Sequence, residues 1–317
     1  MKAVISYTST NSRELESFWK KNNSSTGPRV GSNKIKPESL GGTLEIVDLK
    51  SNNILLRKDF AQPLALYKEN SGHILCALSS NKIYKLNKKL ENVLSITSPL
   101  FNSIHSIDKD SQGLLITSSG IDSIVRVFND ASSKVVWSAL DLERYSKFPD
   151  GVKRTIDYNL DHSGASYPTL QQTTHINSAA IINETYVLST LFHQGELIKI
   201  NIKTKEVEVL LKNLRSPHGA HIYTKNKKKL IICSDTLHNR VLVDVPIDTT
   251  ISKSFRVLED NFNWVQDAKY YPEEDMIIVL DSNNHRICFY SYNDFTFLNQ
   301  YDYYPGKRIF DIIVISN

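Results

Sequence analysis

Three histidines stand at similar places in the sequence. His105 opens "HSIDKDSQGLLITSSGIDSIVRVF", His175 opens "HINSAAIINETYVLSTLFHQGELIKI" and His218 opens "HGAHIYTKNKKKLIICSDTLHNRVLVD". Neutral imidazole is a common ligand for divalent metals such as Zn, Fe, Ni or Mn. Three protein nitrogens with one coordination position left open make a catalytic metal site, in which bound water ionises near neutral pH. Asp267 or Asp311 could complete such a shell or orient a ligand from outside it. The same rings also work without a metal. One acts as nucleophile or general base while the others bind an anion or donate to a leaving group. Asn177 and His193 share the segment of His175 and join the candidate catalytic set. Residue type alone leaves both chemistries open.

Histidines so far apart meet only if the elements carrying them repeat about a common axis. Five stretches align, opening at Ala65, His105, His175, His218 and Gln266. Each reads as a short strand, a polar turn, an apolar strand ending near Ser or Asp, a second turn and another strand; a further strand follows in most. The starts lie 40, 70, 43 and 48 residues apart. Four-stranded propeller blades repeat at roughly 40–50 residues, so the longest step is one blade plus an insertion. Helical periodicity is nearly absent and β-branched and aromatic residues fill the runs. A sixth innermost strand reads as "RIFDIIVIS", with "AVISYTS", "GTLEIVDL" and "NILLRKDF" as its second, third and fourth strands. The expectation is a single all-β domain over residues 1–317: a six-bladed β-propeller whose last blade is closed by N- and C-terminal strands, hiding its edges.

Two insertions, at about 9–42 and 138–174, fall outside the repeat. The first contains "SRELESFWKK", expected as a short helix capped by Ser12, and the loop "STGPRVGS". Both are expected on the face where the innermost strands start, covering one mouth of the central channel, and long loops in compact domains usually carry function. Arg29, Arg154, Tyr158, Asp161, His162 and Tyr167 are the insertion residues expected to form a lid that shapes the substrate pocket. The turns between second and third strands add His193, His238 and His285 to that face, with Arg240 and Arg286 beside the last two. The other strand starts present Ala65, the pair Gln266–Asp267, and Asp311, whereas His73 and His221 are expected to point elsewhere.

Composition excludes several classes. Net charge is +4, and the run Lys225, Lys227, Lys228 and Lys229 falls on one hairpin turn, so no nucleic-acid partner is expected. Cys76, Cys233 and Cys288 lie singly in apolar strand runs, which reads as buried thiols rather than disulfides or a zinc ribbon. No signal peptide and no apolar run of membrane-spanning length is visible, so a cytoplasmic protein with no membrane partner is expected. No P-loop, G-x-S-x-G or dinucleotide fingerprint occurs.

The six-blade layout resembles the NHL-type and gluconolactonase-like propellers. "HINSAAIINETYVLSTLFHQGELIKI" is similar to motifs of the bacterial aryl sulfotransferases, which transfer sulfate between phenols through a histidine. That resemblance implies His218 as nucleophile, assisted by His105 and His175, with Asn177 beside them. The family has a sulfate-holding arginine before "HQ" where this chain has Phe192. The resemblance therefore implies that Arg29, Arg154, Arg240 or Arg286 supplies the charge. "SPHGAHIYTKNKKKLIICSDTLHNRVLVD" is similar in form to the repeats of the peptidylglycine amidating lyases, whose zinc is held by three histidines from separate blades. The first expectation is thus an enzyme of lyase or hydrolase type, in which His105, His175 and His218 bind a divalent metal that activates water or a substrate oxygen on a small molecule or peptide. A metal-free, sulfotransferase-like transferase is the alternative, and a non-catalytic ligand- or protein-binding scaffold is the third.

Overall fold

The computed structural model describes residues 1–24, 29–248 and 254–316; residues 25–28 of the loop "STGPRVGS" lie outside it. Six four-stranded antiparallel sheets follow one another along the chain as the blades of a β-propeller. The innermost strands of blades 1 to 5 are Pro63–Lys68, Ile104–Asp110, Ile176–Ile181, Ala220–Lys225 and Val265–Tyr271. Blade 6 is built from both ends of the chain, in the order Arg308–Ser316, Lys2–Ser9, Thr43–Asp48, Asn53–Asp59. The expected closure is therefore observed.

The blades form because their strands alternate two apolar faces, each needing a neighbour. There is no single core. Six apolar clusters fill the six gaps between adjacent blades. The strand Lys2–Ser9 shows the logic: Ala3, Ile5 and Tyr7 pack into the gap toward blade 5, beside Ile278, Leu280 and Phe289, while Val4 enters the gap toward blade 1, beside Leu66, Ile74 and Cys76. This is the period-two alternation of a strand buried on both faces. The three cysteines are free and buried. Among the described residues no helix is long and apolar enough to cross a membrane.

The insertion after Lys2–Ser9 carries the helix Ser12–Asn22. Its cap is Asn11, one residue earlier than expected. Asn11 Oδ1 accepts from the Glu14 amide at 3.2 Å, and the Asn11 amide group donates to the Glu14 carboxylate at 2.9 Å, a reciprocal arrangement that Ser12 does not make. The second insertion is mostly irregular, with short helical turns at Ala139–Asp141, Glu143–Ser146 and Thr169–Gln171.

Ile5 is fully buried although it lies near the start of the chain. Ile5→Ala should therefore cost about 2–5 kcal/mol, as for any buried isoleucine truncated in a core. Ile277→Ala, inside blade 5, is the reference. Chemical denaturation decides: a cost below about 1 kcal/mol for Ile5→Ala would mean a terminal strand that frays rather than one that closes the ring.

Candidate functional site

The entry to each innermost strand follows one local pattern. Gln62, Ser103, His175, Ser216 and Trp264 adopt left-handed backbone, with φ of 47°, 54°, 49°, 53° and 66°. The strand pairing then slips by a residue in blades 1, 2, 3, 5 and 6. Such bulges re-aim side chains. In blades 2 to 5 the residue two positions after the left-handed one lines the channel, whereas in blade 1 the lining residue is Ala65, three positions after Gln62. By this register His105, Asn177, His218, Gln266 and, in blade 6, Phe310 are equivalent. His175 belongs one step earlier, on the turn, where the other blades have Ser, Trp or Gln. The alignment of His175 with His105 and His218 is thus corrected by two residues, and Asn177 is the true counterpart.

His105, Asn177, His218, Gln266 and Phe310 line an axial cavity of about 430 Å³, and His175 lies outside its lining. His105 and His218 are held alike. His105 Nδ1 donates to the Ser103 carbonyl at 2.8 Å with Ser119 Oγ at 3.1 Å; His218 Nδ1 meets the Ser216 carbonyl at 3.1 Å and Thr236 Oγ1 at 2.8 Å. A carbonyl only accepts, so Nδ1 carries the proton and Nε2 keeps its lone pair. His175 is fixed by its contact of 2.6 Å with Gln172 Oε1, and the Gln172 amide group is oriented by donating to the Tyr167 carbonyl at 2.7 Å. Among the described residues none of the three Nε2 atoms has a hydrogen-bond partner. The His105 and His175 rings meet edge to face at 4.7 Å, and Phe192 stands between His175 and His218 at 5.1 and 5.2 Å. Burial lowers the pKa of His105 to about 4 and of His218 to about 3, and pushes His175 well below the usual imidazole range, with the neighbouring rings adding to the effect. All three are neutral at physiological pH. No three His, Cys, Asp or Glu side chains among the described residues are grouped closely enough to hold a metal ion.

The turn before His175 is set by a buried carboxylate. Asp122 accepts from the amides of Thr173, Thr174 and His175 at 2.9, 2.9 and 3.1 Å, and pairs with Arg154. Burial alone would raise its pKa; Arg154 and the hydrogen bonds outweigh that and hold it below the carboxylate norm. Arg154 is thereby committed to Asp122 and the Gly120 carbonyl. His162 bonds Tyr167 and the Asp157 carbonyl through its two ring nitrogens, so it braces the insertion, while Tyr158 bonds Ser123 and Ser138. Arg29 donates to the Gln172 carbonyl and lies over Phe148. His193 Nε2 donates to the Thr169 carbonyl at 3.0 Å; its Nδ1 is buried without a partner, and burial lowers its pKa to about 4. His238 and Arg240 both engage Asp235, and Arg286 engages Asp281, so these turns are local braces. His285 stacks edge-on against Tyr303.

The expectation for His221 is overturned. It lines the cavity, and its Nε2 lies 2.8 Å from Asp267, whose other oxygen is 3.5 Å from Lys269. Counting alternation from His218 fails because the regular strand starts only at Ala220. Gly219 makes room for the pair: a Cβ there would lie 1.7 Å from Asp267 Oδ1. Two further cations escaped the sequence reading, Lys36 and Arg308, and both sit at the mouth beside the histidines. Arg308 lies over the Trp264 ring, which contacts His218 at 5.5 Å, and Lys36 acts electrostatically on His105 and His175.

The sequence matches no known protein family and no curated protein. Solved structures match its fold. A chain in the crystal structure of a nidogen/laminin complex is 11% identical, with a TM-score of 0.63 over 98% of this chain and 97% of that one. A protein of unknown function from Bacteroides caccae is 10% identical, with a TM-score of 0.57 over 85% and 93%. A streptogramin B lyase is 15% identical, with a TM-score of 0.51 over 94% and 83%. At such identities the likeness is one of fold, and what it shows is a six-bladed β-propeller.

Proposed function

We propose that the channel mouth is the active site of a transferase of the aryl sulfotransferase kind acting on a small molecule. His218 Nε2 is the nucleophile, and His105 and His175 assist. The observation that carries this is the shared lock on His105 and His218, which fixes the proton on Nδ1 and leaves an unprotonated Nε2 at the wall of the cavity. In the step this allows, Nε2 attacks the sulfur of an aryl sulfate as the S–O bond to the aryl oxygen breaks and the phenolate leaves. An incoming phenol then attacks the sulfur, the S–N bond to the ring breaks, and the phenol's proton passes to Nε2 of His105 or His175. Asn177 Oδ1, buried without a partner, is an acceptor for a substrate hydroxyl. An anionic group drawn into the site would raise the basicity of rings that are otherwise held neutral by desolvation.

A second reading rests on the same lone pairs. Nδ1 donation to a carbonyl is the outer-shell arrangement that orients metal-ligating imidazoles, and a Zn, Fe, Ni or Mn ion on His105, His175 and His218 would activate water or a substrate oxygen. This reading requires the rings to re-aim on binding, given their present grouping.

With para-nitrophenyl sulfate as donor and phenol as acceptor, the protein should release nitrophenolate, and His218→Gln should lower kcat/KM by about 10²–10⁴. Equal turnover in His218→Gln overturns the nucleophile. If the intact protein shows no turnover, elemental analysis of untagged material separates the metal reading, where a stoichiometric metal is found, from a binding scaffold, where none is.

The buried rings also predict a pH effect on stability. The unfolded chain takes up protons on histidine below about pH 6.5, whereas folded His105, His193 and His218 resist protonation until about 4, 4 and 3. Their contribution is complete above about pH 6.5 and is lost as pH falls toward about 4. The denaturation midpoint should therefore drop more steeply between about pH 7 and 5 in the natural protein than in a variant with all three replaced by Gln. Parallel curves would mean that these rings titrate normally.

A further inference from the structure

We propose that Lys36 and Arg308 form the seat for an anionic group on the substrate, a carboxylate, sulfate or phosphate, held next to His105 and His218. The proposal builds on the reading of the channel mouth as an active site and adds two residues and a charge requirement to it.

Buried ionised groups are ordinarily paired, and this protein follows the rule elsewhere. Arg126 meets Asp110, Arg154 meets Asp122, Lys269 meets Asp311 and Lys307 meets Glu45. Arg308 departs from it, and Lys36, half-buried beside the same indole, is likewise without an ion pair among the described residues. Arg308 is 8% exposed, its one hydrogen bond goes to the neutral side chain of Asn283, and its guanidinium lies between Trp19 and Trp264 at 5.0 and 5.3 Å from their ring centres. The Lys36 ammonium lies 5.8 Å from the centre of the same Trp19 ring. Among the described residues neither cation has a carboxylate within ion-pair distance, and Lys36 has no hydrogen-bond partner. Indole faces attract cations but neutralise no charge. Burial and the charge of Arg308 lower the Lys36 pKa to about 8, and burial lowers that of Arg308 to about 10.

The two groups arrive from separate parts of the chain. Lys36 and Trp19 come from the N-terminal insertion, and Arg308 from the start of the innermost strand of blade 6. Both cations lie over the Trp19 ring, 5.8 and 5.0 Å from its centre, and the charge of Arg308 disfavours that of Lys36, a repulsion that an anion reaching both would offset. The three neighbouring imidazoles are neutral and supply no negative charge. The candidate arginines Arg154, Arg240 and Arg286 are already occupied by Asp122, Asp235 and Asp281, so they do not compete for this role.

The test is equilibrium binding to the full chain, read by calorimetry and thermal shift. Inorganic sulfate, inorganic phosphate and acetate are titrated at matched ionic strength against a chloride background. At least one should bind the natural protein with a thermal shift beyond that of chloride, and the order among the three names the anion class. Lys36→Met and Arg308→Gln should each weaken that binding about tenfold or more. Near-UV circular dichroism confirms folding, and Arg308→Lys, which keeps the charge, should fall between the two. Binding no tighter than chloride, or unchanged in Lys36→Met, overturns the proposal. Neither measurement depends on turnover. Anion binding that is lost in Lys36→Met while His218→Gln leaves catalysis intact sinks the nucleophile but upholds the seat, and the reverse pattern sinks only the seat.

Discussion

Closure of the ring by the strand Lys2–Ser9 is the constraint on which the rest depends. It pairs with Arg308–Ser316 on one side and Thr43–Asp48 on the other, and its two faces complete the apolar gaps toward blades 5 and 1. Without it two of the six gaps open, and the axial cavity loses a wall. The same strand leads directly into the insertion that carries Trp19 and Lys36, while its partner strand begins with Arg308. The element that closes the propeller therefore also delivers the cations to its mouth.

Two kinds of electrostatics meet at that mouth. Asp122 gathers three backbone amides and a guanidinium, so its charge is spent on shape: it fixes the left-handed turn at His175 and ties the second insertion to blade 2. Arg308 is the opposite case, a buried charge held by Asn283 and two indoles but by no carboxylate among the described residues, and the half-buried Lys36 beside it has none either. Between them lie imidazoles kept neutral by burial. Deeper in the channel, Asp267, Asp311, Lys269 and His221 satisfy one another. Asp267 and Asp311 are thus met by cations, whereas at the mouth Lys36 and Arg308 meet no carboxylate among the described residues.

The blades were legible because inter-blade packing demands apolar strands at a steady spacing, and that demand is written in residue type. His105 and His218 were legible for a related reason, since each follows a serine by two positions, Ser103 and Ser216, where the left-handed turn sits. In blade 3 that serine position is taken by His175 itself, and matching letter to letter hid the offset of two; "HIN" against "SIH" and "SPH" was the available signal. The brace role of Arg240 and Arg286 was also readable, for each follows an aspartate, Asp235 or Asp281, by five residues. The inward position of His221 is not legible from alternation, because Gly219 precedes the regular strand that starts at Ala220. Lys36 and Arg308 could not be singled out, because what distinguishes them is the lack of a carboxylate neighbour, a property of the assembled mouth rather than of any local stretch.

The hydrogen bond from the Asp311 amide to Ser6 joins residues 305 apart in sequence. On the ribosome, the strand containing Ser6 emerges long before its partner exists and spends that interval as an open edge able to pair with the wrong chain. Contacts of such separation form late, because the intervening polymer must first be ordered. Biogenesis is therefore exposed at the same seam that later makes the ring continuous, and the edge of Lys2–Ser9 needs shielding until Arg308–Ser316 has been made.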